Sequence, residues 1–164
     1  MNEIYYLIIG WLMGILTMLI NKWLDSFKER KKHENKILSE CLIFIFAARD
    51  MYNEMAICLA SLHEMGEKYP EKRNQLEIDL YNEAESVKEK QFFPKLMLQS
   101  FQLQTLQDET FYPLFEKIMS EYQILHESIV SHKTMEEVDI INKKILELTK
   151  KFIEKSKAKI EKRI

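Results

Sequence analysis

The side chains best suited to chemistry in this chain are four histidines and two cysteines. The histidines are His33, His63, His126 and His132. None belongs to a Glu-x-x-His or His-x-x-x-His pair, which a metal site inside a helical bundle requires. The chain also lacks a glycine-rich phosphate loop, a Gly-x-Ser-x-Gly turn and a Cys-x-x-Cys motif. We therefore predict a protein that is not an enzyme, with no catalytic residue, no metal and no cofactor.

The two cysteines are Cys41 and Cys58, seventeen residues apart on one predicted helix. This spacing is about 25 Å along the helix axis, too far for a disulfide bond within the chain. Both positions fall in apolar rows of that helix, which predicts buried free thiols.

An uncharged apolar segment, residues 4–20, organises the rest of the chain. Seventeen residues in a helix span about 25 Å, close to the hydrocarbon core of a bilayer at about 30 Å. No lysine or arginine precedes the segment and no Ala-x-Ala site follows it, which favours an uncleaved anchor over a signal peptide. A buried soluble helix is the second alternative, but Tyr5, Tyr6 and Trp23 resemble an aromatic belt. We predict a single transmembrane helix within residues 1–24.

Basic residues follow this segment and predict its orientation. Between Lys22 and Lys36 lie six basic and three acidic residues, whereas Glu3 is the single charged side chain before the segment. The positive-inside rule then puts the N-terminus outside and the remaining chain in the cytoplasm, at the plasma (inner) membrane. Residues 25–36 form a predicted basic juxtamembrane collar. The residues expected to contact anionic lipid headgroups are Lys22, Lys28, Arg30, Lys31 and Lys32.

Within the predicted span, Gly10 and Gly14 lie four residues apart, and Thr17 continues the same helix face. Small residues at this spacing let a second helix approach closely in a bilayer. Glycine is also common in membrane helices without any such role. Gly10, Gly14 and Thr17 are therefore candidate residues for helix packing in the membrane.

Composition predicts an all-α fold. The chain has three glycines and three prolines among 164 residues, and 30% of its residues are charged. This composition is typical of long helices, and no alternating run of β-branched residues favours a sheet. Neither proline nor glycine occurs between Gly14 and Gly66. We predict a transmembrane helix that continues into a cytoplasmic antiparallel bundle of four or five helices, at residues 37–164.

Apolar residues spaced three and four positions apart predict the helices of this bundle. The first is predicted to end at Gly66, and a second, highly charged helix to cover about residues 71–90. The last helix begins at a capping box formed by Thr134 and Glu137. Its apolar seam reaches Phe152, after which packing is predicted to loosen. The seam of the first helix is Leu38, Cys41, Ile45, Ala48, Tyr52, Met55, Leu59 and Leu62.

Two apolar stretches are candidate binding surfaces for a partner. Between Glu40 and Arg49 the polar stripe of the first helix is replaced by apolar residues, so this helix is either surrounded or faces a partner. Residues 92–106 contain no acidic residue and are predicted to lie on a membrane, to bind a partner or to pack as a core helix. The candidate residues are Ile43, Phe46, Ala47, Arg49, Phe92, Phe93, Leu96 and Phe101.

Charge is unevenly distributed. Residues 37–142 hold 9 basic and 19 acidic residues, whereas residues 143–164 hold 9 basic and 3 acidic ones. The acidic body argues against nucleic acid as a partner. The leading prediction is a non-catalytic, membrane-tethered interaction module: an adaptor, scaffold or regulator that binds a protein partner or a second copy. One alternative is an oligomerising membrane effector of a toxin or phage-defence system, and another is a sensor that binds an apolar ligand inside the bundle.

Overall fold

The computed structural model describes residues 2–89, 92–106 and 108–161; the side chains of residues 2–10, 12, 88, 89, 92–94 and 161 are outside this description. These ranges form five α-helices and one 3₁₀ turn, with no strand among them. The predicted all-α fold of four or five helices is confirmed. The helices are α1 (Asn2–Lys68), α2 (Arg73–Glu89), α3 (Phe92–Gln104), α4 (Phe111–Val130) and α5 (Met135–Glu161), and the 3₁₀ turn is Pro70–Lys72.

The chain divides into two compact units, Met1–Lys36 and Ile37–Ile164. Among the described residues, no helix has a stretch that is both long and apolar enough to cross a membrane. Residues 4–10 and 12 of the predicted span lie outside the described side chains. The transmembrane helix therefore stays a prediction. The exposed large apolar side chains of this unit are Trp11, Met13, Leu16, Met18, Leu19, Ile20, Trp23, Leu24 and Phe27.

The core of the second unit is organised around the predicted seam of α1. Residues three and four apart lie on one side of a helix, so this spacing presents a continuous apolar stripe. All eight seam residues, from Leu38 to Leu62, are at most 6% exposed. Helix α4 lies against this stripe, where the rings of Tyr52 and Tyr122 stack 5.1 Å apart. The predicted seam is confirmed.

Helix α1 ends two residues later than the sequence predicted. Gly66 is buried within its last turn, and the chain leaves the helix at Tyr69, whose φ is −133° and ψ is 80°. The physical reason is Pro70, because a proline ring disfavours the helical conformation of the residue before it. A Cβ at position 66 would lie 3.7 Å from Cγ of Arg73, an ordinary van der Waals distance, so the start of α2 lies beside α1 at this position.

Helices α2 and α3 together run antiparallel to α1. Near the turn, Gly66 lies beside Arg73. Further along, burial and the nearby carboxylates of Glu83 and Asp79 raise the pKa of Cys58. Further still, Sγ of Cys41 donates a hydrogen bond to Oε1 of Gln99, at 3.3 Å. Later residues of α2 and α3 therefore contact progressively earlier residues of α1. The two short helices together take the place of one helix, antiparallel to α1, in a four-helix arrangement.

Helices α4 and α5 form the other half of the bundle and are antiparallel. Helix α5 begins at the predicted capping box, where Thr134 N–H donates to Oε2 of Glu137 at 3.1 Å and Glu137 N–H donates to Oγ1 of Thr134 at 3.3 Å. Further along, Lys144 Nζ lies 2.6 Å from Oε1 of Glu121. The predicted capping box is confirmed.

The end of α5 packs more tightly than the sequence predicted. Ser156 is buried, and the side chain of Lys159 is 9% exposed. The Nζ atom of Lys159 lies 5.2 Å from the ring centroid of Phe111 and 3.6 Å from Oδ2 of Asp108. The prediction of loose packing after Phe152 is therefore wrong. A lysine side chain can bury its methylene stem against a ring while its ammonium group reaches a carboxylate.

Candidate partner-binding surfaces

A groove of about 550 Å³ lies between α1 and α5. Phe46 of α1 and Leu146 of α5 line it and are 43% and 59% exposed. Buried Ile45, Ile145 and Tyr122 also line it and form its floor. The result is an apolar surface that is both concave and open to solvent. It is termed the Phe46 groove below.

The floor of the Phe46 groove is buried and uncharged. The Tyr122 hydroxyl donates a hydrogen bond to the carbonyl oxygen of Ile45 at 3.3 Å. Burial raises the pKa of Tyr52, on which Tyr122 stacks, to about 12. Burial also raises the pKa of Tyr122, although Arg49 acts in the opposite direction. Both phenols are therefore neutral at physiological pH, and the groove floor suits apolar contacts.

The rim of the Phe46 groove is basic. Arg49, Lys143 and Lys150 line it, against one acidic residue, Asp139. Sequence analysis named Arg49 as a candidate but missed the two lysines. The sequence could have indicated them, because they lie three residues before and four residues after Leu146 and therefore on the same helix face.

The rest of the apolar strip on α1 faces solvent. Ile43 is 65% exposed, and Ala47 is also exposed. The alternative in which this helix is surrounded on all sides between Glu40 and Arg49 is therefore wrong. The physical reason is that α1 turns its seam toward the other helices of the bundle, which leaves Ile43 and Ala47 on its solvent-exposed side. That Ile43, Phe46 and Ala47 contact a partner stays a prediction.

A second groove, of about 690 Å³, lies between α3 and α4. Leu96, Met97 and Phe101 of α3 line it, and Met97 and Phe101 are 74% and 66% exposed. The core-facing residue Leu103 is 1% exposed, so α3 has one buried and one open face. Sequence analysis treated both apolar stretches as one set of candidate residues, whereas the structure puts them in two grooves. The side chains of Phe92 and Phe93 lie outside the described residues.

The candidate membrane-packing residues lie in the first unit. A Cβ added to Gly14 would meet no atom within 4 Å, so this position is open. The Thr17 hydroxyl donates to the carbonyl of Met13 at 2.8 Å, within its own helix. Gly10 lies outside the described side chains.

The candidate lipid-contacting residues also lie in the first unit. Lys31 is half-buried, and Arg30 Nε lies 3.7 Å from Oε1 of Glu34. Arg30 stays 53% exposed in this pair. The other candidates, all exposed, are Lys22, Lys28 and Lys32.

Two of the four histidines, His63 and His126, contact a backbone carbonyl and an aromatic ring respectively. Nε2 of His63 lies 3.1 Å from the carbonyl oxygen of Lys133, in the turn between α4 and α5. The ring of His126 packs edge-on against Tyr52, with centroids 6.0 Å apart. Among the described residues, no three histidine, cysteine or acidic side chains are grouped so that they could hold a metal ion.

No protein-family model, no curated protein and no solved structure matches this chain. A functional assignment therefore has to come from the chemistry of its surfaces. Of these surfaces, the Phe46 groove combines an apolar floor with a charged rim of one predominant sign.

Proposed function

We propose that this chain is a non-catalytic, membrane-tethered interaction module, and that its Phe46 groove binds a helix of a protein partner. The observation that carries the proposal is the groove itself, in which exposed Phe46 and Leu146 stand above a buried apolar floor. An amphipathic helix laid into an apolar groove is a recurring mode of peptide recognition. Aromatic residues and arginine are enriched at protein–protein interfaces, and Phe46 and Arg49 supply both.

The tether is supported by the sequence and by the first unit. Residues 4–20 carry no charge, and basic residues follow them. Several large apolar side chains of the first unit are exposed, among them Trp11, Leu16 and Trp23. Exposure of apolar area to water costs about 25 cal/mol per Å², and this cost disappears in lipid. We propose an orientation with the N-terminus outside and residues 37–164 in the cytoplasm.

Replacement of Phe46 by aspartate tests the groove. The charge is expected to prevent an apolar helix from docking, while the bundle stays folded because Phe46 is 43% exposed. Tagged full-length protein is extracted in mild detergent, and the molar ratio of each bound protein is measured. Loss of a protein that binds the unmodified chain in a fixed ratio supports the proposal.

Ile57→Asp is the matched control, because Ile57 lies on the same helix, is 65% exposed and does not line the groove. This variant is expected to keep the bound protein. Circular dichroism compares the helical content of both variants with that of the unmodified chain. If Phe46→Asp stays folded and retains every bound protein, the groove is not the binding surface.

A sensor of an apolar ligand is the second candidate function, and the size of the groove favours it. At about 550 Å³ the groove falls within the range of small-molecule sites, about 300–1,000 Å³. Native mass spectrometry of the purified chain distinguishes the two functions. A bound small molecule that is lost in Phe46→Asp would support the sensor, whereas a bound protein lost in the same variant supports the interaction module.

A further inference from the structure

We propose that the Phe46 groove receives helix α2 of a second copy of this chain, so that copies associate head to tail. This inference rests on the proposed function, because it names the partner of the same groove. It is carried by complementary charges and apolar residues at matching spacing on α2 and α5.

Helix α2 has a second apolar face in addition to the one it buries. Its core face includes Leu80 and Val87, which are at most 2% exposed. On another face, Ile78 and Tyr81 are 51% and 65% exposed. A helix with this arrangement can pack in its own bundle and present an apolar ridge to another molecule at the same time.

Acidic residues flank this exposed ridge of α2. Glu77 and Glu85 stand before and after Ile78 and Tyr81, eight residues apart, which is about 12 Å along the axis. In the Phe46 groove, Lys143 and Lys150 flank Leu146 and stand seven residues apart, about 10.5 Å. The two glutamates can therefore face the two lysines while the apolar residues between them meet.

A third pair of charges, which includes a residue of the groove lining, favours one direction of α2 in the groove. Asp139, the acidic residue of the rim, precedes Lys143 by four residues. Arg73, at the start of α2, precedes Glu77 by the same number. When α2 of one copy lies parallel to α5 of the other, Arg73 faces Asp139 and Glu77 faces Lys143.

The ion pair that Arg73 and Glu77 form within one copy does not oppose the exchange. Arg73 Nε lies 3.1 Å from Oε1 of Glu77 within the chain, and the two side chains are 60% and 40% exposed. An exposed ion pair contributes about 0–1 kcal/mol, so replacing its partner by one from another copy costs little.

The contact joins two different surfaces and is therefore heterologous. Such contacts continue from copy to copy and generate rings or filaments. Attachment to one membrane raises the effective concentration of neighbouring copies, so a weak contact is sufficient for assembly. Complementary charge on the rim gives the contact its orientation and selectivity.

Charge reversal tests this inference in the full-length chain, purified in mild detergent, with mass measured over a range of protein concentrations. We expect the unmodified chain to form oligomers as concentration rises. Lys143→Glu with Lys150→Glu, and separately Glu77→Lys with Glu85→Lys, are each expected to raise the dissociation constant at least about tenfold, because like charges then face each other. A chain with all four substitutions is expected to recover assembly, because both rims are reversed together.

Lys155→Glu with Lys157→Glu is the matched control, since both residues are exposed on α5 and neither lines the groove. This variant is expected to assemble like the unmodified chain. Tyr81→Asp is a second test of α2 without charge reversal at the rim, and it is expected to weaken assembly as well. Circular dichroism verifies that each variant is folded.

Three outcomes would overturn the inference. The first is that the unmodified chain is a monomer at all concentrations. The second is that either the α2 variant or the groove variant assembles like the unmodified chain. The third is that the variant with all four substitutions is folded but does not recover assembly. If the groove variant loses a bound protein while the α2 variant keeps it, the groove takes a different partner. That result rejects the second copy and leaves the proposed function standing.

Discussion

Cys41 and Cys58 lie on the same helix, but their surroundings differ. Cys41 is buried and donates a hydrogen bond to Gln99, whereas Cys58 is half-buried near Asp79 and Glu83 of α2. Burial, with a smaller contribution from Glu40, raises the pKa of Cys41 to about 12. The reactive thiolate form is therefore nearly absent at Cys41 at neutral pH.

We predict that a water-soluble thiol reagent modifies Cys58 at least about tenfold faster than Cys41 at pH 8, because a thiolate must form and be reached. The measurement is mass spectrometry of the labelled peptides over time. In Cys41→Ser, the slow labelling of Cys41 is expected to disappear and the fast labelling of Cys58 to remain. Equal rates at the two cysteines in the folded chain would contradict the burial of Cys41.

Lys159 shows why single residues are hard to place from sequence. A lysine after the last apolar seam position is expected to be exposed to solvent. Its charge does not predict the contact with Phe111 and Asp108. Both partners belong to the region before and at the start of α4, about fifty residues away in the chain. This contact exists because α4 and α5 are antiparallel, so the end of α5 lies beside the start of α4.

At the scale of elements, local rules worked where a helix end depends on nearby residues. The capping box at Thr134 and Glu137 needs four consecutive residues and formed as predicted. The predicted end of α1, at Gly66, is two residues too early because both a glycine and a proline lie near it and the proline determines where the helix ends. Proline excludes helical geometry at the residue before it, whereas glycine in a helix costs only about 0.5–1 kcal/mol.

We predict that Thr134→Ala lowers the free energy of unfolding by about 1 kcal/mol, because the Glu137 N–H loses its side-chain acceptor. Urea denaturation followed by circular dichroism measures this change. Thr134→Ser keeps the hydroxyl and is expected to stay close to the unmodified chain. Equal destabilisation by alanine and serine would mean that the methyl group, and not the cap, is responsible.

At the scale of the whole molecule, the proposed tether makes a prediction about fractionation. Leu16→Asp with Leu19→Asp puts two charges into the apolar segment, which lipid does not tolerate at low cost. We expect the full-length chain to stay with membranes after alkaline carbonate washing and the double variant to be released. Ile57→Asp, on the second unit, is expected to stay with membranes. Release of the unmodified chain would contradict the tether.

The sequence by itself determined the helical fold, the buried seam of α1 and the capping box of α5. Each of these features depends on the periodicity of one helix or on residues within a single turn. Residues that are close together in the sequence therefore specify them. Tertiary structure alone decided that Phe46 and Arg49 share a groove with Lys143 and Lys150, and that Phe101 belongs to another groove. The pairing and direction of helices bring together residues about a hundred positions apart, and no periodicity within one helix specifies its neighbours.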